Sequence, residues 1–291
     1  MLLEQLIKKY YSELQMLYDE SEIKALTRNA LVHSLKFSAT DLLTKKREKL
    51  SEKQIQKADF FLHRLKSYEP LQYIVGETDF LRHKFLVNKN VLIPRPETEE
   101  LVEWIIEQHH AKTKERSAYG FSVLDVGTGS GCIAVSLKKN MPEANIMAVD
   151  ISKEALHVAK NNALINNAEI KFMQIDILKN PLTDFKNSFD LIVSNPPYIS
   201  VHEKSQMHKN VTDHEPHIAL FVEGKNPLLF YERIGELAWD GLLKQDGFLY
   251  FELHELLSYE ISEMLKAKKF ADVSVKKDLS GKNRMIRAVK K

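Results

Sequence analysis

Between residues 121 and 150 the chain has room for only one simple topology: strand, tight turn, helix, strand. Phe121-Ser122-Val123-Leu124-Asp125-Val126 is an apolar run of strand length, and Gly127-Thr128-Gly129-Ser130-Gly131 breaks it sharply. Cys132-Ile133-Ala134-Val135-Ser136-Leu137 starts a helix, and Asn145 to Val149 forms a second strand that ends in Asp150. An acid about 20 residues beyond a glycine-rich turn marks a βαβ nucleotide-binding unit. Glycines let a ligand approach the backbone closely, and the acid suits ribose hydroxyls. The spacing here is Gly-x-Gly-x-Gly, with Cys132 where a dinucleotide fingerprint has its last glycine. Asp125 would repel a pyrophosphate but can face a cationic methionine group. Both features favour a nucleoside-bearing cofactor such as S-adenosylmethionine over NAD.

The alternation continues. Ser152 caps a helix that runs through Asn162, and Ile170-Lys171-Phe172-Met173 is a third strand. Asp176 follows it; the carboxylate can accept a hydrogen bond from an adenine amino group, with Ile177 packing on the ring, or it is a plain loop aspartate. The fourth strand, Asp190 to Ser194, stops at Asn195-Pro196-Pro197-Tyr198. Asn195 offers a donor and an acceptor, the two prolines offer carbonyls without N–H groups, and Tyr198 adds a flat ring. Such a tip can hold a planar NH2 group by both N–H bonds, which aims a weakly nucleophilic nitrogen at an electrophile. Ligands of open α/β sheets sit at the carboxyl ends of strands, so four strand ends converge on one crevice. Phe248 to Phe251 is a fifth strand, Glu255 to Lys268 a helix, and Val273–Lys277 and Met285–Val289 a hairpin turned at Ser280-Gly281. A Rossmann-like seven-stranded sheet with a terminal antiparallel hairpin is the class I methyltransferase arrangement.

The remainder bounds the partners. Residues 1–68 carry apolar residues at helical spacing and no glycine or proline, which predicts a small helical bundle, with Ser21 and Ser51 as N-caps and Gln54 completing a capping box. Residues 69–95 read as a linker with a hairpin, Thr78–Leu81 and Lys84–Val87 around Arg82-His83, and 96–291 as the catalytic domain. Pro96 and the acids after it suit a helix's first turn, but Arg95 between two prolines needs another reason, and contact with a ligand carboxylate or substrate is the expectation. The polar segment 199–226 reads as irregular, and its histidines, His202, His208, His214 and His217, lack metal-ligand spacing. Lys and Arg total 42 against 40 Asp and Glu, so no large basic surface for nucleic acid is expected. Cys132 is the single cysteine, which excludes an internal disulfide. No apolar run nears the roughly 18 residues of a membrane span, so a cytoplasmic protein without a membrane role is expected.

Glu69-Pro70-Leu71-Gln72-Tyr73-Ile74-Val75-Gly76, Ile93-Pro94-Arg95-Pro96-Glu97-Thr98-Glu99, Leu124 to Cys132 and Asn195 to Tyr198 closely resemble the release-factor glutamine methyltransferases (HemK/PrmC). The resemblance covers nearly the whole chain. It implies methyl transfer from S-adenosylmethionine to the glutamine side-chain nitrogen in the Gly-Gly-Gln motif of class-1 peptide chain release factors, by a monomer whose N-terminal bundle docks the substrate. On that basis Gly127, Thr128, Gly129, Ser130, Gly131, Asp150, Asp176, Ile177, Asn195 and Arg95 would serve the cofactor. Asn195, Pro196, Pro197 and Tyr198 would form the glutamine pocket, with Asn195, Pro196 and Tyr198 catalytic. Ile177 stands where the family often has an aromatic residue, Val222-Glu223-Gly224 lacks its glycine pair, and Glu252-Leu253-His254-Glu255 replaces its usual Glu-Ile-Gly. The Asn-Pro-Pro-Tyr tip is shared with amino-group methyltransferases of adenine or guanine in RNA or DNA, which is the alternative reading; a fold kept for binding alone is a further one.

Overall fold

Apolar periodicity and caps build the first five helices. The computed structural model describes residues 1–113, 120–200, 203–204, 207–222, 224 and 226–291, so His202 and Glu223 lie outside the described residues. The chain forms two units, Met1–Glu77 with Met207–His214, and Thr78–Gln206 with Glu215–Lys291. The first unit holds α1 (Leu3–Leu14), α2 (Glu20–Leu35), α3 (Ala39–Thr44), α4 (Glu52–Lys66) and α5 (Leu71–Val75). Leu3, Leu6, Tyr10 and Leu14 of α1 meet Leu31 of α2 and Leu62 and Leu65 of α4 in one core. Ser51 and Gln54 form the expected capping box of α4. At α2 the cap is Asp19, whose carboxylate accepts from the Glu22 N–H at 2.8 Å, and not Ser21, whose hydroxyl only supports Asp19. A carboxylate meets a helix N-terminus with charge as well as with a hydrogen bond, which favours the aspartate.

The second unit opens with a hairpin, β1 (Glu77–Phe80) and β2 (His83–Leu86). Its two-residue turn is Leu81-Arg82, one position earlier than expected, with φ of 45° and 65°. Two left-handed residues match the twist of paired strands. Phe80 and Phe85 are buried against the first turns of α6 (Pro96–Thr113), at Leu101 and Val102, and Glu99 accepts from the Leu81 N–H at 2.7 Å. There follow β3 (Ser122–Val126), α7 (Cys132–Asn140), β4 (Asn145–Asp150), α8 (Lys153–Ile165), β5 (Lys171–Gln174) and β6 (Phe189–Ser194). Beyond them β7 (Ile199–Ser200) pairs in parallel with β8 (Phe221–Val222), with α9 (Lys209–Thr212) and α10 (His217–Leu220) in the intervening chain. The described residues of the segment therefore hold more regular structure than its polar composition suggests. Its α9 belongs to the first unit, where the Lys209 ammonium lies 5.3 Å from the Tyr68 ring centre and His214 Nε2 is 2.8 Å from the Ser67 carbonyl.

The chain closes with α11 (Leu229–Leu237), β9 (Leu243–Glu252), α12 (Ser258–Ala267), β10 (Ala271–Lys277) and β11 (Asn283–Val289). The helix α11 ends in a wide turn at Ala238–Leu242, and β9 begins at Leu243 instead of Phe248. The sheet order is β10-β11-β9-β6-β3-β4-β5, with β11 antiparallel to both neighbours and the rest parallel. Leu124 and Val126 of β3 enter one core layer and Val123 the other, as expected of a strand covered on both faces. The order turns back between β3 and β6, and the glycine turn and Asn195 follow those two strands. A switch point of this kind is where an α/β sheet opens a crevice.

Candidate active site

The glycine turn is held from below. Gly127 and Thr128 N–H groups donate to the Val149 carbonyl at 2.8 and 3.0 Å, which locks the turn to the end of β4. Asp150 accepts from the Gly129 N–H and the Ser152 N–H, each at 2.9 Å. Gly127, Gly129 and Gly131 all have positive φ. A Cβ on Gly127 or Gly129 would meet nothing within 4 Å, whereas one on Gly131 would lie 3.1 Å from Ala159 Cβ on α8. The first two thus leave open space above the backbone and the third lets the helix pack close, the division of labour a nucleotide cradle needs. Burial raises the Asp150 carboxyl above its ordinary value, and the backbone N–H bonds pull it back.

Asp125 does not face a ligand. It is fully buried, accepts from the Thr128 hydroxyl at 2.6 Å, and is pushed up to about 7 by burial, with the Thr128 and Ala134 hydrogen bonds opposing. It braces the turn. Asp176 accepts from the Leu178 N–H at 3.1 Å and pairs with the exposed Lys179 at 3.0 Å, and the Lys179 hydrogen bond leads in lowering its carboxyl. Ile177 lies buried in the core layer that Val149 and Ile175 share, and its carbonyl accepts from Arg233. Arg95, expected to await a ligand carboxylate, has one inside the protein: Glu215 Oε1 lies 2.5 Å from its guanidinium, and Glu215 Oε2 accepts from the Ile93 N–H at 3.2 Å. The Glu215 side chain is buried, so this arginine balances a charge that would otherwise stand alone.

At the end of β6, Ser194 is anchored through its hydroxyl to the Val126 carbonyl at 2.7 Å, and Asn195 comes next, partly exposed. Asn195 Nδ2 donates to Thr98 Oγ1 at 3.2 Å, and the Thr98 hydroxyl donates to Glu252 Oε2 at 2.6 Å. The Tyr198 hydroxyl reaches Glu252 Oε1 at 3.3 Å, and the Tyr231 hydroxyl donates to the Glu252 carbonyl at 3.2 Å. Thr98 and Glu252 are both buried. Burial pushes Glu252 up to about 7, against the pull of the Thr98 hydrogen bond and the Arg284 charge. Burial and the neighbouring Glu252 also hold the Tyr198 phenol well above its ordinary value. Sequence reasoning gave Thr98 and Glu252 no role. The signal for Glu252 was present, since it ends β9 at the same edge of the sheet at which Asn195 follows β6, but Thr98 read as an ordinary first-turn residue.

Comparison with known proteins joins this geometry to a family. A family model described as "Methyltransferase small domain" matches residues 110–218, and one described as "PrmC N-terminal domain" matches residues 5–76. The release factor glutamine methyltransferase of Flavobacterium psychrophilum is 44% identical, over 97% of this chain and 98% of its own. The chain belongs to the release factor glutamine methyltransferase family. Its namesake in Bacteroides thetaiotaomicron is 40% identical over 94% of this chain and 95% of the relative. As a family member this protein is a methyltransferase, and its sheet is the class I one expected. A 16S rRNA methyltransferase of T. thermophilus solved with AdoMet and guanosine shares the fold, with a TM-score of 0.52 at 18% identity, over 74% of this chain and 50% of that one.

Proposed function

We propose that this enzyme methylates the side-chain nitrogen of the glutamine in the Gly-Gly-Gln motif of class-1 peptide chain release factors, using S-adenosylmethionine. One observation carries the site assignment: Asn195 gives its NH2 end to Thr98. The carbonyl end is left to accept from a substrate NH2 group, and a carboxamide nitrogen is such a group. Gly127 to Gly131, with Asp150, would hold the cofactor, and the open Cβ positions at Gly127 and Gly129 fit a ligand seated on the backbone. When bound, S-adenosylmethionine supplies a methyl already activated by its sulfonium. The chain's own task is to bind and aim. Asn195 Oδ1 and the Pro196 carbonyl would each accept one N–H, and Tyr198, fixed through Glu252, would close the side of the pocket. No strong base is needed, because the nitrogen becomes acidic only once its new bond forms.

The first unit would dock the release factor, a reading supported by the match of its residues to a PrmC N-terminal domain. We read the enzyme as a cytoplasmic monomer with no nucleic-acid substrate; no helix among the described residues is long and apolar enough to cross a membrane. Incubation with labelled S-adenosylmethionine and purified release factor tests the whole reading. Label is expected on the wild-type factor, and neither on a factor with the target glutamine replaced by alanine nor on bulk RNA. Label on RNA alone would establish the base-methylating alternative.

A further inference from the structure

We propose that Thr98 and Glu252 are positioning residues that decide which end of the Asn195 carboxamide faces the substrate. The inference rests on the reading of Asn195 given above. A threonine hydroxyl has one proton to give. Here it goes to Glu252 Oε2 at 2.6 Å, a short contact of the charge-assisted kind. Only the lone pairs of Thr98 Oγ1 remain, and only the NH2 end of Asn195 can use them, as it does at 3.2 Å. The carbonyl end is thereby turned away from Thr98.

The direction of this chain of bonds begins at Glu252. When ionised, its carboxylate accepts on both oxygens, from Thr98 and from Tyr198, and Tyr231 fixes its backbone. Arg284 on β11 supplies the nearby positive charge, while Glu97 on α6 adds a negative one. With no acceptor behind it, the Thr98 hydroxyl would be free to donate to Asn195 Oδ1. The amide would then turn over and present its NH2 to the substrate's NH2, donor against donor. One carboxylate thus sets the polarity of both pocket side chains, Asn195 and Tyr198.

The test compares Thr98→Val, which keeps shape and loses the hydroxyl, with Thr98→Ser, which keeps the hydroxyl. Methyl transfer to release factor is followed with the full-length enzyme, and binding of S-adenosylmethionine is measured separately. Thr98→Val is expected to lose about tenfold or more in kcat with cofactor affinity within about twofold, and Thr98→Ser to recover to within about threefold of wild type. A second pair asks the same question from the other end. Glu252→Gln retains an acceptor for Thr98 and is expected to stay within about threefold, whereas Glu252→Met has none and is expected to fall about tenfold. If Thr98→Val does not fold, the Glu252 pair decides. Equal kcat within each pair, or a loss of cofactor affinity matching the loss of turnover, would overturn the relay. Wild-type enzyme that fails to label the release factor would overturn the functional reading instead, so the two failures are distinct.

Discussion

In the function proposed above, Asn195 acts in the transition state more than in binding. Its backbone follows Ser194, tied to Val126, and its amide is oriented by Thr98, so little about it depends on a ligand being present. Asn195→Ala is therefore expected to lower kcat about a hundredfold, with cofactor affinity within about threefold, as judged by single-turnover labelling and calorimetric titration. Glu252 carries a different consequence. Its folded value of about 7 lies above the ordinary 4.5, so the native protein holds more protons than the unfolded chain between those limits. Stability then falls as pH rises through that window, and the penalty is complete above 7. Glu252→Gln should melt above wild type at pH 8 and no higher at pH 5. Asp125, also pushed up to about 7, should leave that variant a residual slope of the same sign. These residues show how far a sequence can be read at this scale. Asn195 stands out because its neighbours are two prolines and a tyrosine, whereas Thr98 and Glu252 gain meaning only once the fold brings them together.

Between elements, the joint that carries the cradle is Asn162 on α8. Fully buried, it accepts from the Leu86 N–H at 2.6 Å and donates to the Leu86 carbonyl at 2.9 Å and the Ser130 carbonyl at 2.8 Å. One side chain thus ties the β1–β2 hairpin and the glycine turn to the same helix. Asn162→Ala leaves the Leu86 N–H and the Ser130 carbonyl without this partner and should cost about 3 kcal/mol in urea unfolding, with weaker cofactor binding as well. The strand–turn–helix units were legible because each repeats a local pattern: an apolar run, a breaker, a cap. Boundaries were less so at β9, where Lys244 to Gly247 interrupt the apolar run as an irregularity between two pairings with β6, Phe189 with Leu243 and Leu191 with Phe248. Ser21 was passed over for Asp19 by a shift of two residues that periodicity does not resolve.

For the molecule as a whole, the near balance of 42 basic and 40 acidic residues bears on substrate class. A protein that tracks RNA loses its hold steeply with salt, and competes for bulk RNA through many phosphate contacts. A mass excess of bulk RNA should leave transfer to release factor within about twofold, and strong inhibition would revive the base-methylating alternative. The glycine-free N-terminal stretch sets its helices apart by pattern, but nothing in a polar segment says which body it will join, and residues 207–214 return to the first unit. Sequence alone determined the βαβ frame, the terminal hairpin and the Asn-Pro-Pro-Tyr tip, all of them patterns written in neighbouring residues. Tertiary structure decided what stands behind the tip. Asn195 and Thr98 are 97 positions apart and Thr98 and Glu252 are 154, so their union depends on the order in which strands are laid side by side. It likewise gave Arg95 to Glu215 across 120 positions. Periodicity reports which face a residue turns to the core; only the assembled sheet brings distant buried polar groups within reach of one another, and burial then obliges them to pair.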